Sequence, residues 1–567
     1  MSTAVKQKDD LQPATSINRG NVTVPAYLGE LAGEREWNGN SVLANRQFIN
    51  LDAYNLFREP EYLLLVGRTG TGKSAILNKL KYEIEHKIDS NNSIYKDVIY
   101  LDFREYINQL TKLEKIDNSE NNYSDISENI KQYINIVVMQ HLFYNPKYKN
   151  YTKQLTNIKS YLNQLNIKKN TDINILAKIF LCGLDNSDTL FKNEFGLISL
   201  LTQFGYKKSY EKACVELKNV FNENKILVLI DTLEYYDFNS ISTTVIVRSL
   251  IDICFDYHIK NNFISIKAAL PSELYSYIRT QLPAKKISNT VFIEWKFKDL
   301  VKLIASRLYI LCKDSKYSTP ETYAIVSQFH YNKILNHYLS AKEFIYKFFP
   351  EKCKATLNLS FDTLSYIMRH TQKKPRQLML IFNSILHPII SERKTNYYFI
   401  NREKLKDSIH LTQENLIIDA LNMYNSTYDN IVNVCETVLK RKQFYMSSAK
   451  LKEILKQSVK YNISDDNLMN VLIESGLIGI VIDEKKHTIE QNNAWFENPN
   501  EIEIIPTLYE YQVKGRLVYT DKSNFVIHPM CYEQYNIYIN HDVLVYPESY
   551  DDTDETYAYL QELLRIK

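Results

Sequence analysis

A glycine-rich segment between an apolar run and an amphipathic helix constrains this chain most strongly. Residues 67–74 read Gly-Arg-Thr-Gly-Thr-Gly-Lys-Ser, which is a complete phosphate-binding loop. The run at 62–66 is typical of a buried strand, and residues 75–80 begin an amphipathic helix. Glycines let successive backbone N–H groups converge on phosphate oxygens, because no side chain obstructs the approach. We therefore expect a nucleoside triphosphate site here; the alternative is a glycine-rich turn that binds nothing.

The positions of this loop have separate expected roles. Lys73 is expected to reach the β- and γ-phosphates, and the Ser74 hydroxyl to supply a ligand for Mg²⁺. The N-terminus of the helix adds partial positive charge at the same point. The predicted nucleotide-binding residues are Gly67, Arg68, Thr69, Gly70, Thr71, Gly72, Lys73, Ser74 and Ala75.

A second piece of site chemistry follows the apolar strand predicted at 225–230. Asp231 comes directly after this strand. Ligands of open α/β sheets bind beyond the carboxyl ends of parallel strands, so Asp231 is expected to hold the water shell of Mg²⁺ opposite Ser74. Glu234 is a candidate for orienting or deprotonating an attacking water. It is equally well interpreted as a solvated loop residue.

Composition and charge exclude several classes of protein. The chain of 567 residues is 45% apolar, which argues against disorder, and its formal charge of +3 restricts any nucleic-acid surface to a local patch. Seven scattered cysteines without a Cys-x-x-Cys pair suit a reduced cytoplasm and do not support a zinc or disulfide framework. The polar start excludes a signal peptide, and no apolar run is long enough to span a membrane. We expect a cytoplasmic protein without membrane contact.

The pattern along the chain predicts an α/β fold in four parts. Residues 1–40 are expected to be a flexible segment. Residues 41–297 form a P-loop core, a parallel sheet with a helical insertion at about 106–222. An all-α lid at 298–422 and a winged-helix-like α+β domain at 423–567 follow. The predicted core strands are 62–66, 97–103, 225–230, 262–269 and 290–295, and the predicted helices include 126–143, 173–184, 210–221 and 242–258.

Several of these features resemble AAA+ ATPases. The resemblance is carried by the phosphate loop, the carboxylates after the 225–230 strand, the segment 266–273 and the helix that begins Lys374-Pro375-Arg376. The nearest match is the branch that contains replication-origin initiators and related multidomain signalling ATPases, and within it a poorly characterised group of bacterial P-loop ATPases. Further shared stretches are 293–307 and 526–529, and the resemblance spans roughly 45–545.

The resemblance implies ATP with Mg²⁺ as ligands and ATP hydrolysis as the activity. Arg376 would be the second-sensor arginine, which reads the γ-phosphate and couples it to lid rotation. The alternative is an ordinary surface arginine at a helix start, which Pro375 suits. Lys267 or Ser272 would be the polar first-sensor group. Arg279 lies where an arginine finger for a neighbouring subunit would sit, or it is a solvated helix residue.

One departure from the family pattern lowers the expected rate of hydrolysis. AAA+ proteins commonly place a catalytic glutamate directly after the metal-associated aspartate, and here that position is Thr232. Glu234 would have to substitute for it. The sequence therefore favours a slow or assembly-dependent ATPase acting as a nucleotide-driven switch, as a homo-oligomer. The alternative is an ATP-bound scaffold without a productive cycle.

The C-terminal part indicates partners less specifically. Two helices followed by a strand pair are the order of a winged helix, which initiator-type relatives use on DNA. Winged helices also mediate protein contacts, and a lysine run is often only a solvated face. His528 is interpreted as a packed structural residue. A role in anti-phage defence would require an effector protein from a neighbouring gene. The basic candidates for DNA phosphates are Lys440, Arg441, Lys442, Lys450, Lys452 and Lys456.

Overall fold

The computed structural model describes most of the chain, with gaps. The described residues are 17–19, 22–88, 94–104, 120–151, 153–165, 167–169, 171, 204–221, 225–231, 241–260, 263–279, 282–314, 316–354, 360–391, 402–456, 461–481, 487–489, 502–504, 507–510, 519–538 and 545–547. Three features named above lie outside them: the helix predicted at 173–184, Thr232 and Glu234.

A five-stranded parallel sheet forms the centre of the fold. Its strands are numbered after a short hairpin of β1 (Ile17–Arg19) and β2 (Val22–Val24). The order across the sheet is β4-β5-β6-β3-β7, and every pairing is parallel. All eight residues of β6 are buried, which explains why such strands read as continuous apolar runs. The sheet confirms the predicted α/β class; its strands are β3 (Leu64–Gly67), β4 (Tyr95–Asp102), β5 (Lys225–Asp231), β6 (Ile264–Pro271) and β7 (Thr290–Phe292).

Helices cover this sheet and fill the predicted insertion. Helix α3 packs on β4 and β5, and α7 packs on β6 and on α4. The chain between β4 and β5 contains α4, α5 and α6; α4 and α6 match the helices predicted at 126–143 and 210–221, and α5 was not among the predicted helices. The helices of this part are α1 (Gly33–Gln47), α2 (Asp52–Arg58), α3 (Lys73–His86), α4 (Glu120–Tyr144), α5 (Thr156–Gln164), α6 (Phe204–Phe221), α7 (Ile241–Lys260), α8 (Ser272–Arg279) and α9 (Ala284–Ser288), with a 3₁₀ turn at Pro146–Tyr148.

A helical lid follows the sheet. A two-stranded hairpin, β8 (Lys352–Lys354) with β9 (Ser360–Asp362), lies within it. This hairpin was not predicted from the sequence, because strands of three residues leave almost no periodic signal. The lid helices are α10 (Phe297–Lys313), α11 (Pro320–Ser327), α12 (Tyr331–Asn336), α13 (Tyr338–Tyr346), α14 (Thr363–Met368), α15 (Pro375–Ser391) and α16 (Arg402–Leu421).

The C-terminal domain has winged-helix topology. Strand β15 pairs antiparallel with both β10 and β11, and two helices connect β10 to β11. The sheet continues through β14 to β16, and β12 pairs with β13 separately. The elements are a 3₁₀ turn at Asn422–Tyr424, α17 (Ile431–Leu439), β10 (Tyr445–Ser447), α18 (Ser448–Leu455), α19 (Asp465–Glu474), β11 (Ile478–Val481), β12 (His487–Ile489), β13 (Ile502–Ile504), β14 (Thr507–Glu510), β15 (Asn524–Ile527), a 3₁₀ turn at Pro529–Cys531 and β16 (Val545–Pro547).

The segment before the core is partly packed against the lid. Within residues 1–40, for which the sequence indicates little packing, Leu28 and Trp37 are buried. The Leu28 N–H donates to Asn383 Oδ1 of the lid at 3.0 Å. In the part of the chain that is described, none of the helices is both long and apolar enough to span a bilayer.

Candidate nucleotide site

The loop between β3 and α3 has the backbone shape that its glycines permit. Gly70 and Gly72 have φ values of +83° and +94°, a region that L side chains rarely adopt. A Cβ on Gly67 would lie 2.6 Å from Thr71 Oγ1. All three glycines are therefore required by the geometry. The result is a close-walled cradle opening at the N-terminus of α3, which fits a phosphate group.

Hydrogen bonds within the loop hold this shape. Lys73 Nζ donates to the carbonyl oxygens of Gly67 and Arg68 at 3.1 and 3.2 Å, and Lys73 is only 3% exposed. Thr71 Oγ1 donates to the Arg68 carbonyl at 2.7 Å. Trp295, in the turn before α10, donates from Nε1 to the Thr71 carbonyl at 2.8 Å. The ammonium group is thus held against the backbone of the loop, in the wall of the cradle.

A cavity of about 840 Å³ opens from this loop. It is lined by residues 70–76 of the loop and α3, by residues 30–37 and the end of α1, and by α10. The lid contributes Arg376 and Met379. Ligand pockets typically measure about 300–1,000 Å³, so the cavity is of a size to hold a nucleotide.

Arg376 lies directly against the loop. A Cβ on Gly70 would be 3.3 Å from the Arg376 Cβ, so lid and loop touch at this point. Arg376 Nη1 donates to Asp419 Oδ1 at 3.2 Å, and the arginine side chain is 16% exposed. Beside it, burial lowers the pKa of Lys374 to about 8, with Asp419 opposing that shift. Arg376 is therefore not an ordinary surface arginine, and its sensor role stays a prediction.

The carboxyl edge of the sheet presents two aspartates in register. Asp231 of β5 pairs with Asp102 of β4. Asp231 is 1% exposed and accepts a hydrogen bond from the Tyr100 hydroxyl. Burial, reinforced by the Asp231 charge, raises the Tyr100 pKa well above its usual value, so this hydroxyl stays a donor. Ser74 faces the cavity as a magnesium ligand requires; whether Asp231 completes that site stays a prediction.

Among the described residues at this edge of the sheet, Asp102 and Arg104 line the cavity and Asp231 does not. Arg104 Nε donates to Asp102 Oδ2 at 2.9 Å, and Arg104 Nη2 lies 3.5 Å from Glu34 Oε2. Asp102 was not among the predicted site residues, although it closes an apolar strand in the same way as Asp231. The sequence pattern that marks Asp231, an aspartate after an apolar run, therefore marks Asp102 as well.

The two alternatives for the first-sensor group are separated by the structure. Lys267 is fully buried, and its Nζ donates to the carbonyls of Phe57, Glu59 and Tyr62 at 2.5–2.7 Å. It therefore caps the end of α2, and of the two alternatives for the first-sensor group the structure does not support Lys267. Ser272 begins α8 directly after Pro271, which pairs with Gly67. Ser272 stays a candidate, as does Arg279 at the other end of α8.

The loop also contacts the winged helix. Arg68 Nη2 donates to the Glu474 carbonyl at 2.5 Å, and Nη1 donates to the Ser475 carbonyl at 3.4 Å. Gln372 Nε2, from the lid, donates to the same Ser475 carbonyl at 2.6 Å. These bonds, called the docking contact below, cap the C-terminal end of α19. The last carbonyls of a helix have no acceptor role within it and carry partial negative charge, so a guanidinium suits this position.

Close approach at the docking contact depends on Gly476. Its φ is +75°, and a Cβ there would lie 2.6 Å from Gln372 Nε2 and 2.8 Å from Arg68 Nη1. His528 packs in the same region: Met530 N–H donates to its Nδ1 at 3.1 Å. Burial lowers the His528 pKa to about 3, so the ring is neutral at pH 7. These observations agree with a structural role for His528.

Three of the six basic candidates for a DNA face are paired with acids. Lys440 lies 2.7 Å from Glu436, Lys450 lies 2.9 Å from Glu453 and Lys452 lies 2.6 Å from Asp521. Helix α19, which occupies the place of a recognition helix, begins Asp465-Asp466 and contains no Lys or Arg.

Comparisons with known proteins add little to this geometry. No family model matches the chain, and no curated protein matches it. Among solved structures, the chain is similar to one in the structure of Drosophila ORC bound to DNA, at 10% identity and a TM-score of 0.24, over 94% of this chain and 96% of that one. A similarity this low supports neither fold nor function, so the α/β assignment rests on the sheet topology described above.

Proposed function

We propose that this protein is an ATPase of AAA+ type that binds ATP with Mg²⁺ in the cavity beneath its lid. It acts as a slow, nucleotide-driven switch whose output is the docking of its winged helix. One observation carries the switch: the Ser475 carbonyl accepts hydrogen bonds from both Arg68 of the phosphate loop and Gln372 of the lid.

The binding part of the proposal is supported by the residues that meet at the loop. Backbone N–H groups of 68–75, the Lys73 ammonium and the Arg376 guanidinium would hold the phosphates. Ser74 would hold Mg²⁺, which neutralises phosphate charge when bound. Of the cations in the described cavity wall, Lys73 and Arg376 lie at the loop itself, where the phosphates of a nucleotide would sit.

The switching part of the proposal rests on two features. Arg68 and Gln372 share one carbonyl acceptor, and the phosphates carry more negative charge than the helix end that Arg68 now contacts. Gln372 and Arg376 lie on the same lid segment, so a lid movement that shifts Arg376 relative to Gly70 also strains the Gln372–Ser475 bond. A helix C-terminus carries roughly half an elementary charge, whereas phosphates carry full charges. A triphosphate therefore competes for Arg68, and we expect it to loosen the docking contact.

Slow hydrolysis is the expected result for the purified, dilute protein. Position 232 is Thr, Asp231 accepts from Tyr100, and Asp102 is paired with Arg104, so neither aspartate is poised to activate water. We expect turnover below about 1 s⁻¹, under the usual range for enzymes. A phosphate-release assay with and without DNA measures it. Rapid turnover by the dilute monomer would contradict this expectation.

The partner of the released winged helix is best matched by a protein. The N-terminal residues of a recognition helix normally meet base edges, and two aspartates there repel DNA phosphates. A second copy of the chain, as in a homo-oligomer, or an effector protein from a neighbouring gene, as in anti-phage defence, fits this surface better. DNA binding through Lys440, Arg441 and Lys442 is the competing proposal. A DNA titration at two salt concentrations tests it, because phosphate contacts weaken steeply with salt.

A further inference from the structure

The cavity continues from the phosphate loop to an apolar end. Gly33, at the start of α1, lies against Ala75, and the last turn of α1 lies beside α3, where Asn45 Oδ1 accepts from Lys79 at 2.7 Å. Lys79 is six residues beyond Lys73, which is about 9 Å along the helix. The end of α1 therefore faces the part of the cavity that lies beyond the phosphates.

Aromatic and aliphatic side chains wall this end. Trp37 and Phe48 line it, with ring centroids 6.5 Å apart, together with Ile49, Leu51 and Leu303. Trp37 is 6% exposed, and Ile49 and Leu51 are similarly buried. Flat apolar walls of this kind suit an aromatic ring, such as a nucleobase, and they cannot by themselves distinguish one base from another.

Gln47 is a polar side chain in the cavity wall close to this end. It is the last residue of α1 and is 6% exposed, and none of the hydrogen bonds within the described part of the chain involves its amide. Arg307, which also lines the cavity, pairs with Glu36 at 2.6 Å and donates to the Leu28 carbonyl. Buried amides are normally hydrogen-bonded, so Gln47 is placed to bond a ligand.

The chemistry of the amide favours adenine. A glutamine amide presents one donor and one acceptor side by side. Adenine offers the complementary pair, N6–H₂ as donor and N7 as acceptor, whereas the same edge of guanine carries two acceptors. We infer that Gln47 reads the base in this cavity and selects adenine over guanine among nucleoside triphosphates. This inference rests on the proposed nucleotide function.

Equilibrium titrations of ATP, GTP and purine riboside triphosphate, which lacks the exocyclic amine, test this role. The unmodified protein is expected to bind ATP about tenfold more tightly than either analogue. Gln47→Leu is expected to lose about tenfold in ATP affinity and to bind ATP and the purine analogue equally. Gln328→Leu, at an exposed glutamine that ends α11, serves as the matched control.

The outcomes distinguish failure of the proposed nucleotide function from failure of the Gln47 role. Binding of no triphosphate by the unmodified protein would remove the proposed nucleotide function. Equal binding of ATP and GTP by the unmodified protein, or unchanged discrimination in Gln47→Leu, would overturn the role of Gln47 alone. Because the analogue comparison uses the unmodified chain, the test does not depend on the folding of a variant.

Discussion

Lys73→Ala is expected to weaken ATP binding by about 100-fold or more, the largest effect of any single change in the site. Lys73 is almost fully buried and its ammonium bonds the backbone of the phosphate loop. A charge-assisted hydrogen bond to phosphate is about twice as strong as a neutral one, and alanine replaces none of it. Calorimetric titration with ATP and Mg²⁺ measures the loss.

The control for this change lies on the same helix. Lys79 bonds Asn45 and pairs with Glu83 at 2.9 Å, away from the phosphate loop, so Lys79→Ala should retain ATP affinity. A switch loses its ATP response in Lys73→Ala while the protein stays folded. A scaffold that uses ATP as a structural ligand loses stability in proportion to the lost binding. Unchanged affinity in Lys73→Ala would reject the loop as the binding site.

Gly476→Ala is expected to break the docking contact by a substitution outside the cavity wall. The left-handed backbone alone costs a non-glycine residue about 1–2 kcal/mol. The added Cβ would also lie 2.6 Å from Gln372 Nε2 and 2.8 Å from Arg68 Nη1. We expect amide hydrogen exchange at 472–477 to accelerate at least about tenfold, because local opening then costs less free energy.

Asn430→Ala is the matched control for backbone strain. Asn430 has φ +56°, is exposed, and lies in the same domain before α17. Asn430→Ala should raise the free energy of its own backbone by a comparable amount while leaving amide hydrogen exchange at 472–477 unchanged. If Gly476→Ala and Asn430→Ala behave alike, the docking contact does not hold the winged helix in place.

Much of the fold was predictable because it depends on local pattern. The predicted strands at 97–103 and 225–230 lie within two residues of β4 and β5, and the predicted helix at 242–258 lies within α7. Apolar runs bounded by turn residues fix such elements. The order of the strands across the sheet does not follow from these runs, since nothing local states which strands pair.

The same distinction between local and long-range features applies to the candidate site. The loop at 67–74 was predictable because its function is local to consecutive residues. The contact of Arg68 with Glu474 was not, because it joins residues 406 positions apart through a backbone carbonyl that carries no sequence signal. Lys267 was misplaced for a related reason: a lysine in a buried strand reads as a site residue, whereas its three acceptors are carbonyls of the chain around α2.

Hydrogen exchange of residues 468–477, measured with ATP and Mg²⁺, with ADP and without nucleotide, tests whether nucleotide controls the winged helix. ATP is expected to accelerate exchange at the C-terminal end of α19 relative to both other conditions, and Lys73→Ala is expected to abolish the difference. Identical exchange in all three conditions, in a protein shown by titration to bind ATP, would contradict a nucleotide-controlled winged helix.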